Sequence, residues 1–395
     1  MSNRRGRNRR SKSKRILGMS NTVFYTIISI LTVIILVCIF LLYVFDKRDR
    51  RKTAEEQERV REQVEQIYET TNKEIGELDN YKTNSIIRIS AVGDILCGKN
   101  LETYGKDYDF IFSDVSKYFK DSDLKIGTYE TDTNDNKKQF AESLKKSGIN
   151  LVSLAHNHAL DYGKEGLDST KEYLESIEME TVGVSAETSE DRVKIIEKKG
   201  TKLAILAYTY DNGKEGVSIY SEDTVKQDLE YAEQNAAVSI VMMHWGNVNT
   251  NKVSDKQKEQ ANFLIENGAD IVIGAHPSAV QEMEMIENEE GEQCFVAYSL
   301  GDYTSDFESE MSNLELILNI QIFVDKEGNA SIYKVDYTPI YMNDFGTKLK
   351  ENRFKILDMK KEILNYGTDE SEIDKKTYEK LLKGIEKLKQ IIEKE

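Results

Sequence analysis

Four histidines occur in the 395 residues, and every one stands at or just beyond the end of a short apolar run. His156 and His158 flank Asn157 in LAHNHALDYG, His244 lies in MMHWGN and His276 in GAHPSA. Asp94 in AVGDIL and Glu130 in GTYETD follow two further runs of the same kind. Imidazole, carboxylate and amide oxygen together suit a divalent ion such as zinc, manganese or iron, while three cysteines in the whole chain disfavour a thiolate zinc knot. One histidine at a strand end is ordinarily structural. Four of four at the same edge of one sheet, joined by Asp94, Glu130 and Asn157, form the pattern of a site assembled from distant segments. Asp161 has two readings: a carboxylate that orients a histidine, or the N-cap of the helix that follows. Trp245, the single tryptophan, is either a packing residue or a substrate platform.

Such a site needs elements that bring these segments together. Apolar runs at 86–92, 123–129, 149–155, 179–184, 202–208, 238–243, 269–275 and 294–300 read as buried strands. Segments of helical period, FAESLKKSG, GLDSTKEYLESI and SDKQKEQANFLIENG, separate several of them. Strands alternating with helices indicate a layered α/β fold, in which sites gather at strand carboxyl ends. LELILNIQIFVD and ASIYKVDYTPIYM read as antiparallel strands closing the sheet. Were the 149–155 strand to continue, His156 and Asn157 would point to opposite faces.

Charge divides the chain sharply. Residues 1–52 carry 13 Lys and Arg against two Asp, a net +11, and the formal total of −16 leaves −27 on the other 343 residues. So acidic a body excludes general nucleic-acid binding, which requires clustered Lys and Arg. Residues 23–45 hold no charge, and 23 residues suffice to cross about 30 Å of hydrocarbon as a helix. Eight basic residues and no acid precede this segment within the first 15 positions, against five basic and two acidic residues in DKRDRRK after it. The positive-inside rule then puts the N-terminus in the cytoplasm and the main domain outside, a single-pass protein of the cell membrane. The expected organisation is a basic tail (1–22), a transmembrane helix (23–45), a helical stalk (46–84), the α/β domain (85–345) and a C-terminal helical segment (346–395). Cys97 and Cys294 leave open whether they pair.

The segments SAVGDIL, FAESLKKSGINLVSLAHNHALDYGKEGLDST, TVGVS, VMMHWGN, NGADIVIGAHPSAVQ and VAYSLGDY, in that order, resemble the CapA family, also called PgsA, of poly-γ-glutamate capsule synthesis proteins. That family looks like a branch of the calcineurin-like metallophosphoesterases, and the similarity runs over roughly 86–340. The resemblance implies a layered metallophosphoesterase sandwich with Asp94, Glu130, Asn157, His244 and His276 as metal ligands. It also implies His158 as general acid, with Asp161 the candidate to orient it. Departures thin the site: the family commonly reads N-N-H and G-H-H-P-H, where this chain has His156-Asn157-His158 and GAHPS. The superfamily D-x-H ends here in Leu96, and its G-N-F becomes Gly301-Asp302-Tyr303. One tightly held ion per chain is therefore expected. The implied function is a part in poly-γ-glutamate biosynthesis or export, with membrane components of the polymer synthase as partners, an anionic polymer as ligand and a metal-dependent hydrolase-like site. The alternatives are a stand-alone phosphoesterase at the outer membrane face and a non-catalytic scaffold of the synthase.

Overall fold

The computed structural model describes residues 86–392 except 105–106, 133–136, 211–214, 307–312 and 347–352, and between 30 and 74 only residues 30–32, 34–37, 47, 58–62, 64–65 and 73–74. The chain divides into two compact units, Met1–Gln63 and Val64–Glu395. In the first, residues 30–32, 34–37, 47 and 58–62 are helical, and Ile30, Leu31, Ile34, Ile35, Leu36 and Val37 are exposed. Among the described residues no helix is long and apolar enough to cross a membrane. Most of the expected 23–45 span lies outside the described residues.

The second unit is a layered α/β body. Its strands are β1 (Ile86–Ile95), β2 (Leu124–Tyr129), β3 (Leu151–Ser153), β4 (Glu180–Val182), β5 (Lys194–Lys198), β6 (Thr201–Thr209), β7 (Val238–His244), β8 (Ile271–Ala275), β9 (Met283–Glu287), β10 (Gln293–Ala297), β11 (Asp302–Thr304), β12 (Leu314–Val324), β13 (Ala330–Asp344) and β14 (Phe354–Asp358). All the apolar runs singled out above coincide with strands or abut them. They do not form one sheet, however. A nine-stranded sheet runs β13-β12-β1-β2-β3-β4, with β11 beside β1, β14 beside β13 and a two-residue strand, Lys73–Glu74, also on β13. A separate six-stranded sheet runs β9-β10-β8-β7-β6-β5. The expectation of a single sheet edge is thus corrected to two.

In both sheets the central strands are parallel and apolar on both faces, because helices and the opposing sheet cover them. The connecting helices carry their own start and stop signals. Helix α1 (Lys138–Ser147) buries Phe140, Ala141 and Leu144 and ends at Gly148, whose φ of 126° suits glycine. Helix α2 is Gly163–Ser176 and helix α3 is Glu222–Asn235, the latter capped by Ser221. Helix α4 (Asp255–Glu266) starts with a reciprocal capping box between Ser254 and Gln257. At the C-terminus the expected helical segment contains helix α5 (Lys375–Ile392) but also β14, paired antiparallel with β13. Phe354, Ile356 and Leu357 are buried in that strand, and its burial on both faces overrides the helical composition of the surrounding sequence.

Candidate metal centre

Asp94, Glu130 and the 156–158 segment stand at or just beyond the carboxyl ends of β1, β2 and β3 in the nine-stranded sheet, and His244 and His276 at those of β7 and β8 in the other. The site therefore forms where the ends of two sheets face each other. Two glycines permit close backbone approaches beside the site. A Cβ on Gly93 would lie 1.8 Å from the Gly301 carbonyl oxygen, and the neighbouring Asp94 amide donates to that same oxygen at 3.0 Å. A Cβ on Gly274 would lie 2.0 Å from the Tyr298 carbonyl oxygen. The sheets are tied directly by the His276 amide, which donates to Asp94 Oδ2 at 2.7 Å. His276 holds φ at 94°, a strained value for a non-glycine residue that aims its ring at the cluster and persists through that tie.

Glu130, His244 and His276 each offer a ligand atom, and all three atoms lie within 4.8 Å of one another. Glu130 Oε1 is 2.6 Å from His244 Nε2, yet that nitrogen makes no hydrogen bond. The His244 and His276 rings are 4.6 Å apart between centroids. Asp94 Oδ1 is 3.6 Å from His244 Nε2 and also lacks a hydrogen-bond partner, as does the buried Asn157 Oδ1. Orphaned buried polar atoms are costly, about 1–3 kcal/mol each. The convergence of Glu130, His244 and His276 suits a divalent cation, and their imidazole and carboxylate donors match zinc, manganese or iron. Asp94 stands beside the triad of Glu130, His244 and His276, outside the tight cluster.

The electrostatics agree. Burial raises Glu130, but the imidazoles of His244, His156 and His276 outweigh it and bring it down to about 2. Burial lowers His156 and His276 to about 4 each. At neutral pH the carboxylate is ionised and these two rings are neutral, the states in which lone pairs are free to ligate. Asp94 goes the other way, well above the carboxylate range, through burial and then the charges of Glu130 and Asp302. A bound cation reverses that balance.

Glu130 and His276 open into a cleft of about 410 Å³ also lined by His156, Asn157, His158, Asp161 and Ser278. His158 and Asp161 are both exposed there, with Nδ1 2.8 Å from Oδ2. Of its two readings Asp161 takes the orienting one, since the N-cap position of α2 belongs to Tyr162 and has no side-chain cap. His156 corrects another expectation. Because β3 ends at Ser153, strand alternation has stopped three residues earlier, and its ring turns inward, 6.1 Å from that of His244 and buried. Strand periodicity hid it; the run of turn-forming polar residues after LVSLA was the available signal. Trp245 is a packing residue, fully buried, with Nε1 donating to the Tyr298 carbonyl at 2.9 Å. Cys97 and Cys294 are both free and buried. Leu96 lines the cleft, and Ala275 is buried without a ligating group.

Comparison with known proteins adds a lineage. The chain is 27% identical over 260 residues to the capsule biosynthesis protein CapA of Bacillus anthracis, covering 57% of this chain and 61% of the relative. It is 27% identical over 250 residues to the PGA biosynthesis protein CapA of Bacillus subtilis (strain 168), covering 57% and 64%. The aligned part thus spans less than two thirds of either relative. A putative 5'-nucleotidase from Staphylococcus aureus, solved in complex with alpha-ketoglutarate, is 14% identical with a TM-score of 0.43, covering 77% of this chain and 58% of that one. The model of the bacterial capsule synthesis protein PGA_cap family matches residues 88–307, a stretch that holds Asp94, Glu130, Asn157, His158, His244 and His276. With more than half of its length matched, the chain belongs to the PGA_cap family of bacterial capsule synthesis proteins.

Proposed function

We propose that this protein is a membrane-anchored, extracytoplasmic participant in making or exporting a poly-γ-glutamate capsule, working beside the membrane components of the polymer synthase. In this reading it is hydrolase-like, with a calcineurin-type sandwich and one divalent ion, manganese, zinc or iron. Glu130, Asn157, His244 and His276 hold the ion, with Asp94 beside them. The observation that carries the reading is the approach of Glu130, His244 and His276, from three strands of two sheets, to within 4.8 Å. Family membership and the two capsule-related relatives support the pathway. The uncharged 23–45 segment, with its basic leading flank, supports the anchor and its orientation.

When bound, such an ion supplies a Lewis acid that polarises a carbonyl or phosphoryl oxygen. The chain's own groups do the rest. An ionised Asp161 can only accept, so His158 Nδ1 carries the hydrogen between them and Nε2 is left to exchange a proton with a leaving group in the cleft. Neutral His156 and His276 keep the floor of the cleft from repelling the ion.

The reading is tested by deleting the gene, measuring surface polymer, and complementing with parent, His244→Ala and His158→Ala. Restoration by the parent alone supports a metal-dependent role. Restoration by both variants would establish a scaffold instead. Unchanged polymer after deletion, together with hydrolysis of a generic phosphodiester by the purified protein, would establish the stand-alone phosphoesterase.

A further inference from the structure

Helix α5 (Lys375–Ile392) carries six Lys against two Glu, although residues 53–395 as a whole carry −27. Its apolar side is covered: Leu381, Ile385, Leu388 and Ile391 are buried. A Cβ on Gly384 would lie 2.9 Å from Leu314 Cδ1 and 3.0 Å from Met359 Cε, so glycine lets the helix sit tight on the first residue of β12. The Leu314 carbonyl oxygen in turn would lie 3.6 Å from a Cβ on Gly301, the neighbour of Asp302 in the cleft lining. The helix is thus held in one orientation, on a strand that adjoins the cleft.

Lys376, Lys380, Lys383 and Lys387 are all exposed, and steps of four, three and four residues put them on one side of the helix. Lys375 pairs with Glu379 at 3.8 Å, whereas among the described residues these four have no ion-pair partner. Lysines three and four apart repel, so the stripe works against the helix that bears it. An anionic chain lying along it would relieve that repulsion. The four positions are about 6, 4.5 and 6 Å apart along the axis. A γ-linked glutamate unit contributes five backbone bonds and one free carboxylate. With three bonds advancing about 3.6 Å in an extended chain, its carboxylates recur about every 6 Å. Such a chain can lay one carboxylate against each lysine. A helix that docks on lipid presents apolar side chains beside its basic ones. Here no large apolar residue is exposed among the described residues of 353–392.

We propose that Lys376, Lys380, Lys383 and Lys387 form a docking strip for an extended chain of free carboxylates, holding it on a body that otherwise repels it. The strip rests on its own geometry; only the choice of γ-linked glutamate as its occupant rests on the proposed function. Its attraction is between exposed charges, so binding weakens as salt rises.

The test is fluorescence anisotropy of a labelled γ-linked glutamate decamer with the full chain in neutral detergent micelles. One variant combines Lys376→Gln, Lys380→Gln, Lys383→Gln and Lys387→Gln, since glutamine keeps the helix propensity. A control combines Lys120→Gln, Lys202→Gln, Lys226→Gln and Lys326→Gln, exposed lysines scattered over separate elements with the same change in net charge. The stripe variant is expected to bind about tenfold more weakly or worse, a loss of about 1.4 kcal/mol, and to melt no lower than the parent by circular dichroism. The control should stay within about twofold of the parent. Parental affinity in the stripe variant, an equal loss in the control, no binding of the decamer to the parent, or affinity indifferent to salt would each overturn the proposal. So would stripe-dependent binding to phosphatidylglycerol-containing vesicles with decamer binding unaffected, which would make the partner a lipid surface. Stripe-dependent decamer binding together with unchanged surface polymer after gene deletion would instead sink the proposed pathway and leave the strip standing.

Discussion

Glu315, the second residue of β12, is fully buried, and neither carboxyl oxygen has a hydrogen-bond partner. It packs behind the Gly301-Asp302 corner, where a Cβ on Gly301 would lie 3.4 Å from Glu315 Cγ. Burial, and then the charges of Asp302 and Asp94, push its carboxyl well above the usual range. Folded protein therefore holds this proton while unfolded chain releases it above about pH 4.5. The resulting stability is fully present below the unfolded value and is lost as pH rises toward the folded one. Each pH unit in that window removes about 1.4 kcal/mol. Between pH 5 and 7 the accumulated loss is about 2–3 kcal/mol, and the unsatisfied carboxyl itself costs about 1–3 kcal/mol at any pH. Glu315→Leu, close in volume, should thus melt higher than the parent after chelator treatment, by about 2 °C at pH 5 and about 4–8 °C at pH 7. Glu315→Gln should abolish the pH dependence without restoring the full gain. Thermal unfolding followed by circular dichroism at the two pH values reads both effects. A Leu variant less stable than the parent, or an advantage that does not grow from pH 5 to 7, refutes the reasoning.

Three further outcomes are expected. His244→Ala removes the most buried ligand of the triad and should lower divalent-ion affinity by at least about 100-fold, read by competition with a metallochromic chelator. Gly93→Ala forces a methyl group onto the Gly301 carbonyl, and should cost about 3 kcal/mol or more and reduce soluble yield, measured by urea unfolding. Asp161→Asn should leave the melting temperature within about 1 °C, because an exposed ion pair contributes little. Turnover of any substrate that depends on His158 should fall about tenfold or more in that variant.

Much of this architecture was legible in the linear chain. Runs such as VSIVMM and ADIVIGA are too short for helices, too apolar for exposed strands and followed by polar outliers, so both the strands and the site residues at their ends could be read locally. The acidic body, the basic tail and the pairing of His158 with Asp161 likewise depend on residues close together in sequence. The strand Phe354–Asp358 was hidden because five residues in a Lys- and Glu-rich setting carry little periodic signal, and their pairing partner, β13, lies ten or more residues away.

The chain by itself determined which groups could ligate and that each would stand at a strand terminus, since period and polarity are properties of neighbouring residues. Only the tertiary structure decided that those termini belong to two sheets, that His156 turns inward, and that Asp94 stands beside the triad of Glu130, His244 and His276. Strand partners and the approach of one sheet to another are set by contacts between residues far apart along the chain. Here they include the Gly93–Gly301 approach and the His276–Asp94 bond, neither of which leaves a trace in local periodicity.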